Sequence, residues 1–276
     1  MAAASLSSAQ PCVLAFDIGI KNLAYAMVDP VTRVVHDVQN INLLPAVEAL
    51  TCSRCKVKAS FTAGGTRYCR RHIPKTHALR PEWTAKGTKK PSNKMLRDWV
   101  KEYGVAATGT SNEACLTALS AVMALPLQQP KQANAAKVSL EHLHDAIHQF
   151  VAEHWELFSR CSQVLLENQP AFKNPHMKSV QVLLFATLRE AWMRHGVPMP
   201  AFHLVHAGKK TKGVQAGDAG YAARKETSEK RVQEAVAEGD LQGGAWYTRW
   251  SAAPKKSDMA DALCMCMDAV ETRVTE

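Results

Sequence analysis

The chain has 276 residues, 46% hydrophobic and 21% charged, with 34 basic against 25 acidic side chains for a formal net charge of +9. This composition excludes a disordered polymer, and no apolar run reaches the roughly 20 residues that cross a bilayer, so no membrane partner is expected. The basic excess favours a polyanionic partner, nucleic acid before any other.

Residues 1–11 are expected to form a flexible tail. Residues 1–8 carry neither the apolar core of a secretory signal nor an Arg-rich transit pattern. The protein is therefore expected inside the cell, with nucleus, mitochondrion and viral replication site equally open. An apolar run ending at Asp17 predicts a buried strand over 12–18. Gly19, Ile20, Lys21 and Asn22 turn the chain, 23–28 predicts a second strand, Asp29-Pro30 a hairpin turn, and 33–43 a third strand. Residues 50–75 hold a Cys/His pattern. Residues 76–93 are rich in Lys, Pro, Thr and Gly and read as a basic linker. Helices are expected over 94–103 and 112–124, before a break at Pro126 and Pro130.

From residue 136 apolar side chains recur at helical spacing (Leu140, Leu143, Ile147, Phe150, Val151, Trp155). A strand follows over 163–169. A long helix over 176–195 is stopped by Gly196 and Pro198, and a strand runs over 201–206. A basic loop holds Lys209, Lys210 and Lys212. A charged helix over 221–238 and a last helix over 257–272 complete the chain. The fold class expected is α/β, with a main domain from 12–49 and 136–276. Insertions at 50–75 (a zinc knuckle) and 76–135 (linker plus small helices) separate its two parts.

Four acids stand at telling places. Asp17 and Glu167 end strands, and Asp258 and Asp261 lie three apart on one helix face. Carboxylates so placed suit two hard divalent ions, Mg or Mn rather than zinc, about 3.5–4 Å apart, the arrangement of metal-dependent phosphodiester cleavage. Each acid alone has an ordinary reading, as a turn residue, a helix cap or an ion-pair partner; it is the set of four that carries the expectation.

The stretches FDIGIKNLAY (16–25), LENQP (166–170) with NPHMK (174–178), YAARK (221–225) and KKSDMADA (255–262) resemble the four motifs of RuvC-like Holliday junction resolvases. The likeness is greatest to their poxvirus, giant-virus and fungal-mitochondrial branch. That resemblance implies an RNase H-like mixed sheet flanked by helices. It also implies a homodimer that nicks four-way DNA junctions symmetrically, with Asp17, Glu167, Asp258 and Asp261 as catalytic metal ligands and no small-molecule cofactor. Other nuclease substrates of the same fold, such as RNA–DNA hybrids or flaps, stay open, as does a non-catalytic DNA-binding role.

Around these acids, Lys21, Lys173 and Lys178 are placed to meet phosphates, as are Lys209, Lys210, Lys212, Arg224 and Lys225. Phe172 either anchors its loop by packing or, if exposed, stacks on an unpaired base. His206, at a strand end, is read as structural before it is read as a proton carrier.

Cys52, Cys55, Cys69 and His72 form a C-x2-C and C-x2-H pair of knuckles, a spacing that closes a tetrahedral structural zinc site; His77 is the alternative fourth ligand. Arg70 and Arg71 beside it are candidate DNA contacts. The remaining cysteines, Cys12, Cys115, Cys161, Cys264 and Cys266, are read as small core residues.

Overall fold

A computed structural model describes residues 12–81, 91–172, 174–206, 221–242 and 244–274, with side chains described at all of these except 221–224 and 271–274. The chain divides into two units, one from 1–45 with 133–276 and the other from 46–132.

The larger unit is built on β1 (Cys12–Asp17), β2 (Leu23–Val28) and β3 (Val35–Ile41), three consecutive strands joined by short turns. Asp29 sets the second turn by accepting from the backbone N–H groups of Val31 and Thr32 at 2.8 and 2.9 Å. These bonds outweigh its burial and hold its carboxyl below the usual range. Beyond the inserted unit the larger unit resumes. It continues through α3 (Leu140–Glu153), α4 (Trp155–Phe158), β7 (Cys161–Asn168), α5 (Pro175–His195) and β8 (Ala201–His206). It ends with α6 (Tyr221–Glu238), α7 (Ala245–Ala252) and α8 (Lys256–Val274).

The sheet order is β3-β2-β1-β7-β8. The first three strands pair antiparallel, and β1, β7 and β8 pair parallel. This is the mixed, RNase H-like sheet that the resemblance implies.

Strand alternation divides the core. Cys12, Leu14, Phe16, Val164 and Leu166 pack on one face with Leu143, Ile147, Leu184 and Trp192 of α3 and α5. Val13, Ala15 and Leu165 pack on the other with Val232, Trp246, Leu263 and Cys266 of α6, α7 and α8. The five cysteines read as core residues are indeed buried and unbridged. Helix α7, unexpected from sequence, buries Trp246 and Trp250 in this second core. No helix of the described residues is long and apolar enough to cross a membrane.

In the smaller unit, β4 (Phe61–Ala63) and β5 (Thr66–Tyr68) form a hairpin. Its two turn residues, Gly64 and Gly65, both have positive φ (55° and 77°), the backbone a tight two-residue turn demands. Strand β6 (Leu125–Pro126) pairs on the other side of β4. Helices α1 (Asn93–Glu102) and α2 (Asn112–Leu119) are capped by Ser92 and Ser111 and bury Leu96, Trp99, Cys115 and Leu119 around Met123. The sequence divides this region at residue 75. In the structure, β6 arrives from beyond the helices to complete the sheet begun in the knuckle.

Candidate active site and metal centre

Alternation along β1 and β7 decides where the first two acids point. Asp17 shares a face with Val13 and Ala15, and Glu167 shares it with Leu165, the face covered by α8. The strands are parallel neighbours with Phe16 opposite Leu166, so both acids leave the same end of the sheet. Ile18 N–H donates to Glu167 Oε2 at 3.3 Å, tying the two strand ends together.

Helix α8 brings the other two. Cys266 Sγ lies 3.7 Å from Val13 O and 3.5 Å from Ala26 O, which fixes the lower part of the helix over the start of β1. Eight residues back along the helix is about 12 Å. Four residues forward along the strand is about 13 Å. Asp258 is thus level with Asp17, and the helix runs antiparallel to β1. At the same height, Asn40 Nδ2 donates to Lys255 O at 3.4 Å, and Asn40 stands opposite Ala24, itself opposite Asp17. Asp17 and Asp258 are both buried, with 9% and 7% of their surface exposed.

Helix α6 runs alongside α8 and engages both helix acids. Lys225 Nζ sits 2.5 Å from Asp258 Oδ1, and Ser228 Oγ donates to Asp261 Oδ1 at 2.5 Å. Arg231 with Asp268 and Lys256 with Glu229 extend the pairing, at 2.6 and 3.4 Å. Glu167 has its own support. Gln169 Nε2 donates to its Oε2 at 2.6 Å, and Gln169 N–H donates to Gln181 Oε1 at 2.8 Å. Lys178 Nζ joins this group, 3.0 Å from Asn168 Oδ1 and 3.1 Å from Gln181 Oε1.

Sequence reasoning did not single out Ser228, Gln169 or Gln181. The available signal was polarity in the wrong place: Gln181 is 3% exposed on the stripe of Val180 and Leu184, and Ser228 is 1% exposed. A buried polar side chain on an apolar stripe needs a partner.

The other expected contacts divide. Lys21 is exposed in the β1–β2 turn. Gly19 in that turn is obligatory, since a Cβ there would meet Asn22 O at 2.2 Å. Phe172 is fully exposed at 101%, so it is not a packed loop anchor. His206 Nδ1 lies 3.5 Å from Asn168 Nδ2. Lys173, Lys209, Lys210 and Lys212 lie outside the described residues, as does the side chain of Arg224.

In the smaller unit, Cys52, Cys55, Cys69 and His72 gather their donor atoms within 4.8 Å of one another, the one group of three or more metal-capable side chains so close among the described residues. The four acids are not drawn that near, and Lys225 takes the place beside Asp258. Cys55 Sγ to Cys69 Sγ is 3.9 Å, and His72 Nδ1 is 3.6 and 3.5 Å from the sulfurs of Cys52 and Cys69. A tetrahedral ion with bonds of about 2.3 Å to sulfur and 2.0 Å to nitrogen has edges of about 3.8 and 3.5 Å. The cluster matches that tetrahedron. His77 instead pairs with Thr76 Oγ1 at 3.0 Å and is not among the four. Burial pushes the Cys52 thiol up. Backbone N–H donors at Cys69 and Arg54 and the His72 ring outweigh it and bring the pKa down to about 6. Gln129 staples the knuckle, accepting from Leu50 N–H at 2.9 Å and donating to Ala59 O at 2.6 Å. Arg70 and Arg71 are exposed.

No family model matches the chain, and no curated protein matches it. Among solved structures it is similar to the yeast mitochondrial Holliday junction resolvase Ydc2, at 12% identity and a TM-score of 0.49, covering 96% of this chain and 81% of that one. It is similar to a Fowlpox virus resolvase in complex with Holliday junction DNA, at 12% identity and a TM-score of 0.39, covering 95% of this chain and 99% of that one. It is also similar to Thermus thermophilus RuvC, at 13% identity and a TM-score of 0.36, covering 96% of each chain.

Proposed function

We propose that this chain is a Mg- or Mn-dependent endonuclease that resolves four-way DNA junctions as a homodimer, one nick per subunit. What supports the reading is that Asp17, Glu167 and Asp258 lie toward one end of one sheet face, with Asp261 about one turn along the same helix. Four oxygen donors of that kind fit hard divalent ions. When bound, such ions supply an acidified water and charge neutralisation at the phosphate.

The protein's own groups prepare that site. Ile18 N–H and Gln169 hold Glu167 in one orientation, and Gln181 holds Gln169. Lys225 balances the charge of buried Asp258 and keeps a cation within reach of any phosphate brought to it. Phe172, exposed beside the Glu167 strand, offers a ring for a base unstacked at the branch point. Lys21, Lys178, Arg70 and Arg71 are proposed phosphate contacts, as are Lys173, Lys209, Lys210, Lys212 and Arg224. The Cys/His cluster is proposed to hold a structural zinc, because four protein ligands leave no position for a substrate.

Asp17→Asn tests the reading, since it keeps the shape of the side chain and removes its charge. Cleavage of fixed and mobile four-way junctions should be lost, while gel-shift binding persists. Normal cutting by this variant would reject the site. Cutting of hybrids or flaps in preference to junctions would reject the substrate.

A further inference from the structure

Beside the acids lies a cavity of about 620 Å³ that the catalytic set does not use. Its floor is Val38 and Asn40 of the edge strand β3, and its far wall is Arg249, Trp250 and Lys255 from α7 and the turn into α8. We infer that this groove seats the sugar–phosphate backbone of the DNA strand running to the acids, with Lys21, Lys255 and Arg249 as successive phosphate contacts. The inference rests on the nuclease reading above and extends it to the strand's path.

Charge argues for it first. Three cations line the cavity and no carboxylate does. Lys21 and Lys255 are exposed, with no ion-pair partner among the described residues. Arg249 does have one. Its Nη2 is 3.2 Å from Asp37 Oδ1, and Asp37 already accepts from Tyr25 Oη at 2.6 Å and Gln39 Nε2 at 2.7 Å. The carboxylate is therefore shared, and the guanidinium, whose side chain is 64% exposed, keeps donors free for a phosphate. Asp37 aims the Arg249 side chain rather than cancelling it.

Position argues next. Lys21 follows Asp17 by one turn, and Lys255 is held level with Asp17 through Asn40. The path from β1 to β3 crosses two strand spacings, about 10 Å. Asp37, and Arg249 with it, lies three residues further down β3, which turns the path along the sheet edge.

The wall is also rigid. Trp250 is 1% exposed and donates through Nε1 to Lys256 O at 3.0 Å, and Lys256 Nζ stands 5.4 Å over its ring. The junction carrying Arg249 and Lys255 is thus fixed to the core before any ligand arrives, and little ordering entropy is left to lose on binding.

The test is junction binding by fluorescence anisotropy, in calcium to suppress cutting, over a series of salt concentrations. Wild type should show a steep fall of log affinity with log salt. The double variant Arg249→Ala, Lys255→Ala should lower that slope by roughly 2, at about 0.9 for each phosphate no longer neutralised. Lys255→Ala alone, at an exposed turn, should lower it by about 0.9, which keeps the groove testable if the double variant does not fold. Arg249→Lys should restore most of its share. Arg194→Ala, on a distant exposed helix end, should leave the slope unchanged. An unaltered slope in the double and Lys255 variants, with steep wild-type binding, would overturn the groove and leave the nuclease reading standing. Flat or absent wild-type binding would overturn both.

Discussion

Single residues in this protein are constrained for reasons that differ from their neighbours'. Gly19 illustrates it. The turn after β1 brings Asn22 O to where its Cβ would stand, at 2.2 Å. Gly19→Ala must push the backbone aside two residues from Asp17. A fall of about 1–3 kcal/mol in denaturant-measured stability is expected, together with a drop of more than tenfold in junction cleavage. A variant cutting at the wild-type rate would mean that the turn does not set the acid. The four acids proposed as metal ligands were legible because each ends a strand or opens a helix, positions where an ionised side chain is visible against an apolar run. Their supports were not legible. Gln181 and Ser228 sit on helix stripes, where one polar residue reads as an interruption of the pattern rather than as a partner. Phe172 was ambiguous for the opposite reason, because composition does not say whether a loop aromatic faces in or out; here it faces solvent.

Elements were legible in proportion to their period. The strands over Leu23–Val28 and Ala201–His206 and the helix over Tyr221–Glu238 match the sequence reading at both ends. Helix α7 was missed because eight residues with three aromatics, between Gly244 and Pro254, give too little period to recognise. The three-residue strands β4 and β5 and the two-residue β6 were missed because their pairing depends on the Cys/His knuckle and on a partner some 60 residues away in sequence. That dependence carries a prediction. Cys52→Ser, or chelation of the ion, should abolish amide protection in β4, β5 and β6 while β1, β2 and β7 stay protected in hydrogen exchange. The pH dependence has a definite sign. The Cys52 pKa is lowered to about 6, so the thiolate ligand is present above that pH. Metal and protons compete for the ligand thiols, so metal retention should hold near neutrality and fall as pH is lowered, read by elemental analysis after dialysis. Metal content unchanged by Cys52→Ser would exclude Cys52 as a ligand. Burial instead pushes the thiols of Cys12, Cys161 and Cys266 up, so they should resist alkylation at pH 7 in the folded protein.

At the scale of the whole molecule, the proposed homodimer makes a quantitative prediction. Wild-type and Asp17→Asn chains mixed equally and allowed to exchange should leave about half of the dimers with one working site. On a junction closed into a cruciform plasmid, these dimers should produce open circles by a single nick, where wild type gives linear product. Linear product alone, merely reduced in amount, would argue for subunits that do not cut as a pair. The basic balance of the chain, +9 overall, is consistent with association that is fast at low salt and sharply weakened at high salt.

The parallel contact of β1 with β7 joins Ile18 to Glu167 across 149 positions, and Asp258 follows Asp17 by 241. At about 5–20 residues per second, a ribosome delivers the last acids some 10–50 s after the first. Under the proposed function, the emerging polypeptide would throughout that interval hold an incomplete set of ligands, unable to cut any DNA within its reach. Translation itself would then act as the safety catch, released only when the final helix docks.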